Sequence, residues 1–215
     1  QCRDILQGWF NAVHSLAVWR RDADGRAALV VGGYAVLVFL DPDGRVVGHS
    51  WSDGPWNTDI LVVPENRPDH GDIYVRCGWN HGIMQYQGVP GSGPSGETLN
   101  LGGFKQPMFR MLRRITPFIN GRSLVFTWVN IPACPDGAIL AATELGCGLF
   151  SIREKDWRWK LEGGTSLQAC IAGRAGGRPA ALTGGADGFV AALDLETGRI
   201  LRRFQAGAPV VGLME

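Results

Sequence analysis

Residues 188–207 read GFVAALDLETGRILRRFQAG, and the order of residues in this stretch decides the fold. An apolar strand, FVAAL, ends at Asp194. The chain then turns through Gly198 into a second strand, ILRRF. Glycine takes φ > 0 in a tight turn at no steric cost, and the aspartate before it accepts hydrogen bonds from the amides of the turn. Working outward, the stretch is preceded by SLQACIAG and PAALTGG, which makes a set of four strands between residues 166 and 205. The same set stands near the other end of the chain: SLAVWRR, AALVVGGY, AVLVFLDPDG, RVVGHSW. Both copies carry a double glycine after the second strand, Gly32–Gly33 and Gly184–Gly185. Both place an aspartate at the end of the third strand, Asp41 and Asp194, and both turn through a glycine, Gly44 and Gly198, into an arginine, Arg45 and Arg199.

Two further copies lie between them. One reads DILVVPEN, DIYVRCGW and GIMQYQG, with its fourth strand delayed to FRMLRRI. The other reads SLVFTWVN, AILAATELG, GLFSIRE and DWRWKLEG. The fourth strands begin near Ile5, Arg45, Arg110, Trp157 and Arg199. A repeat of about 40–47 residues is the size of a four-stranded propeller blade. The apolar residues come in short β-branched runs or in alternation, not at helical spacing. The expectation is an all-β chain, a β-propeller arc of about four four-stranded blades within a larger propeller. The blades fall at 14–51, 58–115, 123–161 and 166–205, with an insertion near 88–104. An open β-sandwich is the structural rival, and the repeat period favours the propeller.

The residues Gly188, Val190, Ala192, Leu193, Asp194, Thr197, Gly198, Leu201 and Phe204 resemble the repeat of pyrroloquinoline-quinone-type β-propellers, with Arg202 where that repeat has tryptophan. AALVVGGYAVLVFLDPDGRVV is a looser match. WD-type repeat propellers are the close structural relatives, although no Trp-Asp pair ends a third strand here. The resemblance implies a propeller; it would extend to a quinone-dependent dehydrogenase only with the vicinal cysteine pair and calcium-binding set of that group. No Cys-Cys pair exists and no carboxylate aligns with the catalytic position, so no cofactor or catalytic residue is assigned.

The chain starts on ILQGWF, which reads as a fourth strand, and finishes on APVVGLME, which reads as the first strand of a further blade at 208–215. Further blades are therefore expected outside this sequence or on a partner chain. The opening residue, Gln1, is not methionine, so the chain is expected to have been processed, cut or incompletely assigned.

Bulk properties set the outer bounds. With 45% hydrophobic and 19% charged residues the chain can bury an ordinary core. A net charge of +1, from 21 basic and 20 acidic residues, supplies no general attraction to nucleic acid or to an anionic membrane. No apolar run reaches the roughly 18 residues of a membrane-spanning helix. The five cysteines show no C-x-x-C spacing, and they read as buried thiols of a reducing intracellular compartment, with a disulfide in an exported protein as the alternative.

Candidate chemistry is sparse. The four histidines, His14, His49, His70 and His81, form no metal-binding pair. The acidic turns at 22–25 and 41–44 lack the full calcium-loop pattern and suit hairpin turns. Ser92 and Ser95 sit in GSGPSG, a loop without the strand-to-helix setting of a nucleophile. Trp79, Asn80 and His81, at a turn between strands, are the candidate exposed contact residues. Leu99, Leu101 and Phe104 of the insertion are candidates to dock on a neighbour, since Gly- and Pro-rich sequence cannot continue a ladder. Arg110, Arg113 and Arg114 form a candidate basic rim whose structural role is to blunt a sheet edge. Trp51, Trp56, Trp128, Trp157 and Trp159 are expected to pack between blades. The function this supports is a non-catalytic interaction module that binds protein partners or the remaining blades. The alternatives are a fragment of a quinone-dependent dehydrogenase-type propeller and a carbohydrate-binding propeller.

Overall fold

A computed structural model describes residues 13–20, 27–34, 36–51, 57–63, 73–77, 82–88, 109–115, 122–162 and 166–214. The chain divides into two compact units, residues 1–118 and 119–215.

The first unit holds two sheets. One is built from β1 (Ser15–Arg20), β2 (Ala27–Gly32), β3 (Val36–Leu40) and β4 (Val46–Trp51). The other is built from β5 (Asn57–Val62), β6 (Ile73–Cys77), β7 (Gly82–Gly88) and β8 (Phe109–Ile115). The second unit repeats the plan with β9 (Ser123–Ile131), β10 (Cys134–Thr143), β11 (Gly146–Ser151) and β12 (Asp156–Glu162), then β13 (Leu167–Ala175), β14 (Arg178–Gly185), β15 (Phe189–Asp194) and β16 (Ile200–Gln205). In each sheet the strands lie side by side in chain order, and every ladder is antiparallel. Among the described residues there is no helix. The all-β architecture of four four-stranded sheets is the one expected from the repeat.

The turns form as their sequences dictate. Asp41 Oδ1 accepts a hydrogen bond from the Arg45 amide at 2.8 Å while Gly44 holds φ 78°. Asp194 Oδ1 accepts from the Glu196 amide, the Thr197 amide and the Thr197 hydroxyl at 2.9, 3.0 and 3.1 Å, and Gly198 holds φ 71°. The turn at 41–44 is thus closed by its own backbone and one carboxylate. The turn at 22–25 lies outside the described residues.

A feature absent from the sequence reading recurs in all four sheets. The register between third and fourth strands slips by one residue, at Phe39/Leu40, Gln85/Tyr86, Leu149/Phe150 and Ala192/Leu193. Such a bulge bends the strand, sharpens its twist and moves the residues beyond it to the opposite face.

Each unit has its own core. In the first, Val30, Leu37 and Phe39 of one sheet meet Ile73, Val75 and Met84 of the next, and Trp19 packs edge-on to Phe39. In the second, Leu140, Ala142, Cys147 and Leu149 meet Cys170, Ala181, Leu193 and Leu195. Phe39, Leu140 and Leu149 are wholly buried, and each contributes about 2 kcal/mol of apolar transfer. In both units the face of the earlier sheet that carries the residue just before the bulge, Phe39 or Leu149, is the face the following sheet packs on.

Candidate functional site

The second unit contains a cleft of about 360 Å³ between its two sheets. The first sheet contributes Leu145 from the β10–β11 turn and Leu161 and Glu162 from the end of β12. The second contributes Phe189, Ile200 and Arg203, with Leu167 and Leu193 deeper in. The turn that presents Leu145 is fixed by its own amide, which donates to Thr143 Oγ1 at 3.2 Å. Leu145 is 50% exposed and Ile200 58% exposed, so this cleft leaves large apolar side chains in contact with solvent.

The polar groups around it are already engaged. Asp187 Oδ1 accepts from the Phe189 amide at 3.0 Å, and Arg203 places its guanidinium 3.7 Å from the centre of the Phe189 ring and 4.0 Å from Asp187 Oδ2. Gln205 Nε2 donates to the Asp187 carbonyl at 2.9 Å, and Glu162 pairs with Lys160 at 3.3 Å. The Thr183 hydroxyl donates to the Ala191 carbonyl at 3.3 Å. Cys147 lines the wall, where burial pushes its thiol up to about 12. A thiol in that range is neutral at physiological pH, so it is a wall atom and not a nucleophile. Among the described residues no group of three or more His, Cys, Asp or Glu side chains is placed to hold a metal ion. An apolar floor with a paired, mixed-charge rim suits the burial of an apolar side chain from a partner.

The candidates from sequence fall elsewhere. Trp79, Asn80 and His81, and Leu99, Leu101 and Phe104, lie outside the described residues. Arg110, Arg113 and Arg114 lie on β8, an edge of the second sheet, where they pair in backbone register with Gln87, Gln85 and Met84. Of their counterparts in the fourth sheet, Arg203 is the one at the cleft. His14 is exposed; His49, on β4, is half-buried, and burial lowers its pKa. Cys134, Cys147 and Cys170 are buried free thiols. Sequence reading missed Leu145, Leu161 and Ile200 because each looks like an ordinary strand or turn residue. The available signal was Leu145 in TELG, a large apolar residue at a hairpin turn.

No family model matches this sequence, and no curated protein does. Structurally it is similar to many solved chains, 687 in all, so the fold is a widely used one that names no function by itself. One of them is the crystal structure of BBS1N in complex with ARL6DN, soaked with lead. It superposes with a TM-score of 0.58 at 12% sequence identity, over 94% of this chain and 55% of that one. The chain thus spans about half the length of that β-propeller neighbour. Four consecutive four-stranded antiparallel sheets and this likeness together make the fold of the chain that of a β-propeller.

Proposed function

We propose that this chain is a non-catalytic β-propeller module that mediates protein–protein contacts within a larger protein or complex. The cleft between its third and fourth sheets would receive an aliphatic or aromatic side chain of a protein partner. The observation that carries this reading is the exposure of Leu145, Leu161 and Ile200 around a preformed recess whose polar rim is internally paired. Apolar anchors in such pockets dominate interface energies. The solved neighbour, itself in complex with ARL6DN, supports a role in binding proteins. The pyrroloquinoline-quinone-type character of residues 188–204 supports descent from that class of repeat, with the repeat used as scaffold. Trp79, Asn80, His81, Leu99, Leu101 and Phe104 are proposed as further contact residues.

The test places a photo-cross-linking residue at Leu161 or Ile200, and at exposed Arg174 as control, in the full chain in its native cell. One discrete protein adduct is expected from the cleft positions and none from the control, with loss of the adduct on adding Leu145→Asp. Equal labelling at all three positions sinks the proposal. A quinone-dependent enzyme is the second reading, favoured only by the 188–204 resemblance. A stoichiometric quinone or calcium in the purified full-length protein would establish it in place of the first.

A further inference from the structure

The strand that forms one wall of the cleft, β16, has an open edge. It is the last strand of its sheet and pairs with β15 alone. Five of its six residues are exposed, so among the described residues no segment lies along it. The ladder fixes which backbone groups face outward. The Ala206 amide donates to the Gly188 carbonyl at 2.8 Å, which makes 188 and 206 a hydrogen-bonded pair in the β15–β16 register. Bonded and non-bonded pairs alternate along an antiparallel ladder. Arg202 and Phe204 therefore turn their amides and carbonyls inward to β15, and Arg203 and Gln205 turn theirs outward.

The side chains of Arg203 and Gln205 stand on the cleft side of the sheet. They pair in register with Ala191 and Phe189, both of which line the cleft. Beyond the bulge Ile200 is on that side too, while Arg202 and Phe204 are on the other. The open edge and the cleft thus adjoin. A residue bonded from outside to the backbone of Arg203 or Gln205 directs its side chain to the cleft side, and its neighbours direct theirs to the other.

Charge narrows what fits. Residues 199–205 carry three arginines and no carboxylate. Arg203 faces Asp187, and Arg158 and Lys160 of β12 pair with Glu154 and Glu162, whereas the side chains of Arg199 and Arg202 enter no ion pair among the described residues. Two copies of β16 laid edge to edge would set arginine beside arginine, which disfavours self-pairing. A strand with acidic residues meets the same edge with opposite charge.

We infer that β16 accepts an extended segment of a protein partner as a fifth strand of the fourth sheet. The segment runs antiparallel, as every ladder of the chain does, and alternates apolar with acidic residues. Its apolar side chains enter the cleft toward Leu161 and Ile200, and its acidic ones lie beside Arg202 on the other side. This rests on the reading of the cleft as a protein-binding site, and adds the backbone, direction and charge of what enters it.

The experiment measures, by fluorescence anisotropy, the binding to the full chain of a labelled heptapeptide of alternating valine and glutamate. Seated in this way, its valine amides face β16 and its glutamate amides face solvent. N-methylation of the valine amides is expected to weaken binding about ten-fold or more, because each methyl removes a donor, and N-methylation of the glutamate amides to leave it unchanged. A peptide with lysine for glutamate binds more weakly. Arg202→Glu, a substitution at an exposed position, weakens binding of the glutamate peptide and strengthens that of the lysine peptide, each by about three-fold. Equal effects of the two methylation patterns, with binding still lost in Leu145→Asp, overturn strand addition and leave the cleft reading standing. Binding that survives Leu145→Asp overturns the cleft reading and the inference with it. Lysine and glutamate peptides that bind alike overturn the acidic partner, and a glutamate peptide that shows no saturable binding overturns the inference outright.

Discussion

Trp159 donates its indole N–H to the carbonyl of Leu195, 2.8 Å away, and so ties the outer strand of one sheet to the end of the third strand of the next. The bond crosses 36 residues of sequence and sits at the edge of the core that the two sheets share. Trp159→Phe keeps most of the ring but loses the donor, and leaves the carbonyl dependent on water. The expected loss is about 1–2 kcal/mol, against about 3 kcal/mol for Trp159→Ala, which also vacates the space. Urea unfolding of the two variants reads this directly. Matching midpoints for the wild type and Trp159→Phe would mean that the bond contributes nothing.

The same ring explains why Gly198 cannot change. Gly198 has φ 71°, and a Cβ there would come within 2.7 Å of the Trp159 ring. Gly176 has a comparable φ of 58° but nothing within 4 Å of such a Cβ. Gly176→Ala therefore costs only the left-handed backbone penalty, about 1–2 kcal/mol. Gly198→Ala costs that plus displacement of the indole, about 3 kcal/mol or more. Thermal melts separate the two, since each kcal/mol moves the midpoint of a chain this size by about 2–4 °C. If both variants melt at the same temperature, the ring is not what constrains position 198.

Asp194 and Asp41 occupy matching turns with unequal workloads. Asp194 Oδ1 accepts three hydrogen bonds and Asp41 Oδ1 accepts one from the Arg45 amide. Asp194→Ala is expected to cost about 2 kcal/mol and Asp41→Ala about 1 kcal/mol or less, with Asp194→Asn in between. Denaturant midpoints in that order support the assignment. The reverse order would show that backbone closure, not the carboxylate, holds these turns.

Those aspartates and glycines were legible because a tight turn restricts its residues locally. The strand set was legible for the same reason, repeated four times. The bulges were not: Gly148 directly precedes Leu149/Phe150, but no glycine or proline adjoins Ala192/Leu193, and the slip is set by strand pairing. This has a visible result in β12. Trp157 and Trp159 alternate in sequence and should share a face, but the bulge between them puts them on opposite faces. Trp157 packs edge-on against Phe150 of its own sheet at 5.6 Å, while Trp159 reaches the next sheet. Trp128 bonds Asn130 within its own strand and covers Gly137 of the neighbouring one. The cleft was hidden for a related reason. Leu161 and Ile200 read as strand residues, and whether the adjoining sheet covers them depends on contacts across about 40 residues of chain.

The thiols in the core give the protein an alkaline limit. Cys147 and Cys170 lie in the cluster between the third and fourth sheets. Burial pushes the Cys147 thiol up to about 12. The Cys170 thiol rises further, by burial first and by the proximity of Cys147 second. In the unfolded chain both ionise in the ordinary thiol range, about 8.5. Folded pKa values above unfolded ones mean that the folded state binds more protons at high pH, so stability falls as pH rises. The stabilisation is fully present below about pH 8 and is lost progressively as pH climbs toward the folded values. Urea midpoints should be insensitive to these thiols from pH 6 to 8 and decline above pH 9. The double variant Cys147→Ala, Cys170→Ala should decline less steeply, although its midpoint at pH 7 is lower because two buried side chains are truncated. In parallel, Cys147 and Cys170 should resist alkylation at pH 8 in the folded protein and react fully in urea. An identical alkaline slope in wild type and double variant, or rapid alkylation of both thiols in the folded chain, would place them at the surface and undo the packing described for this interface.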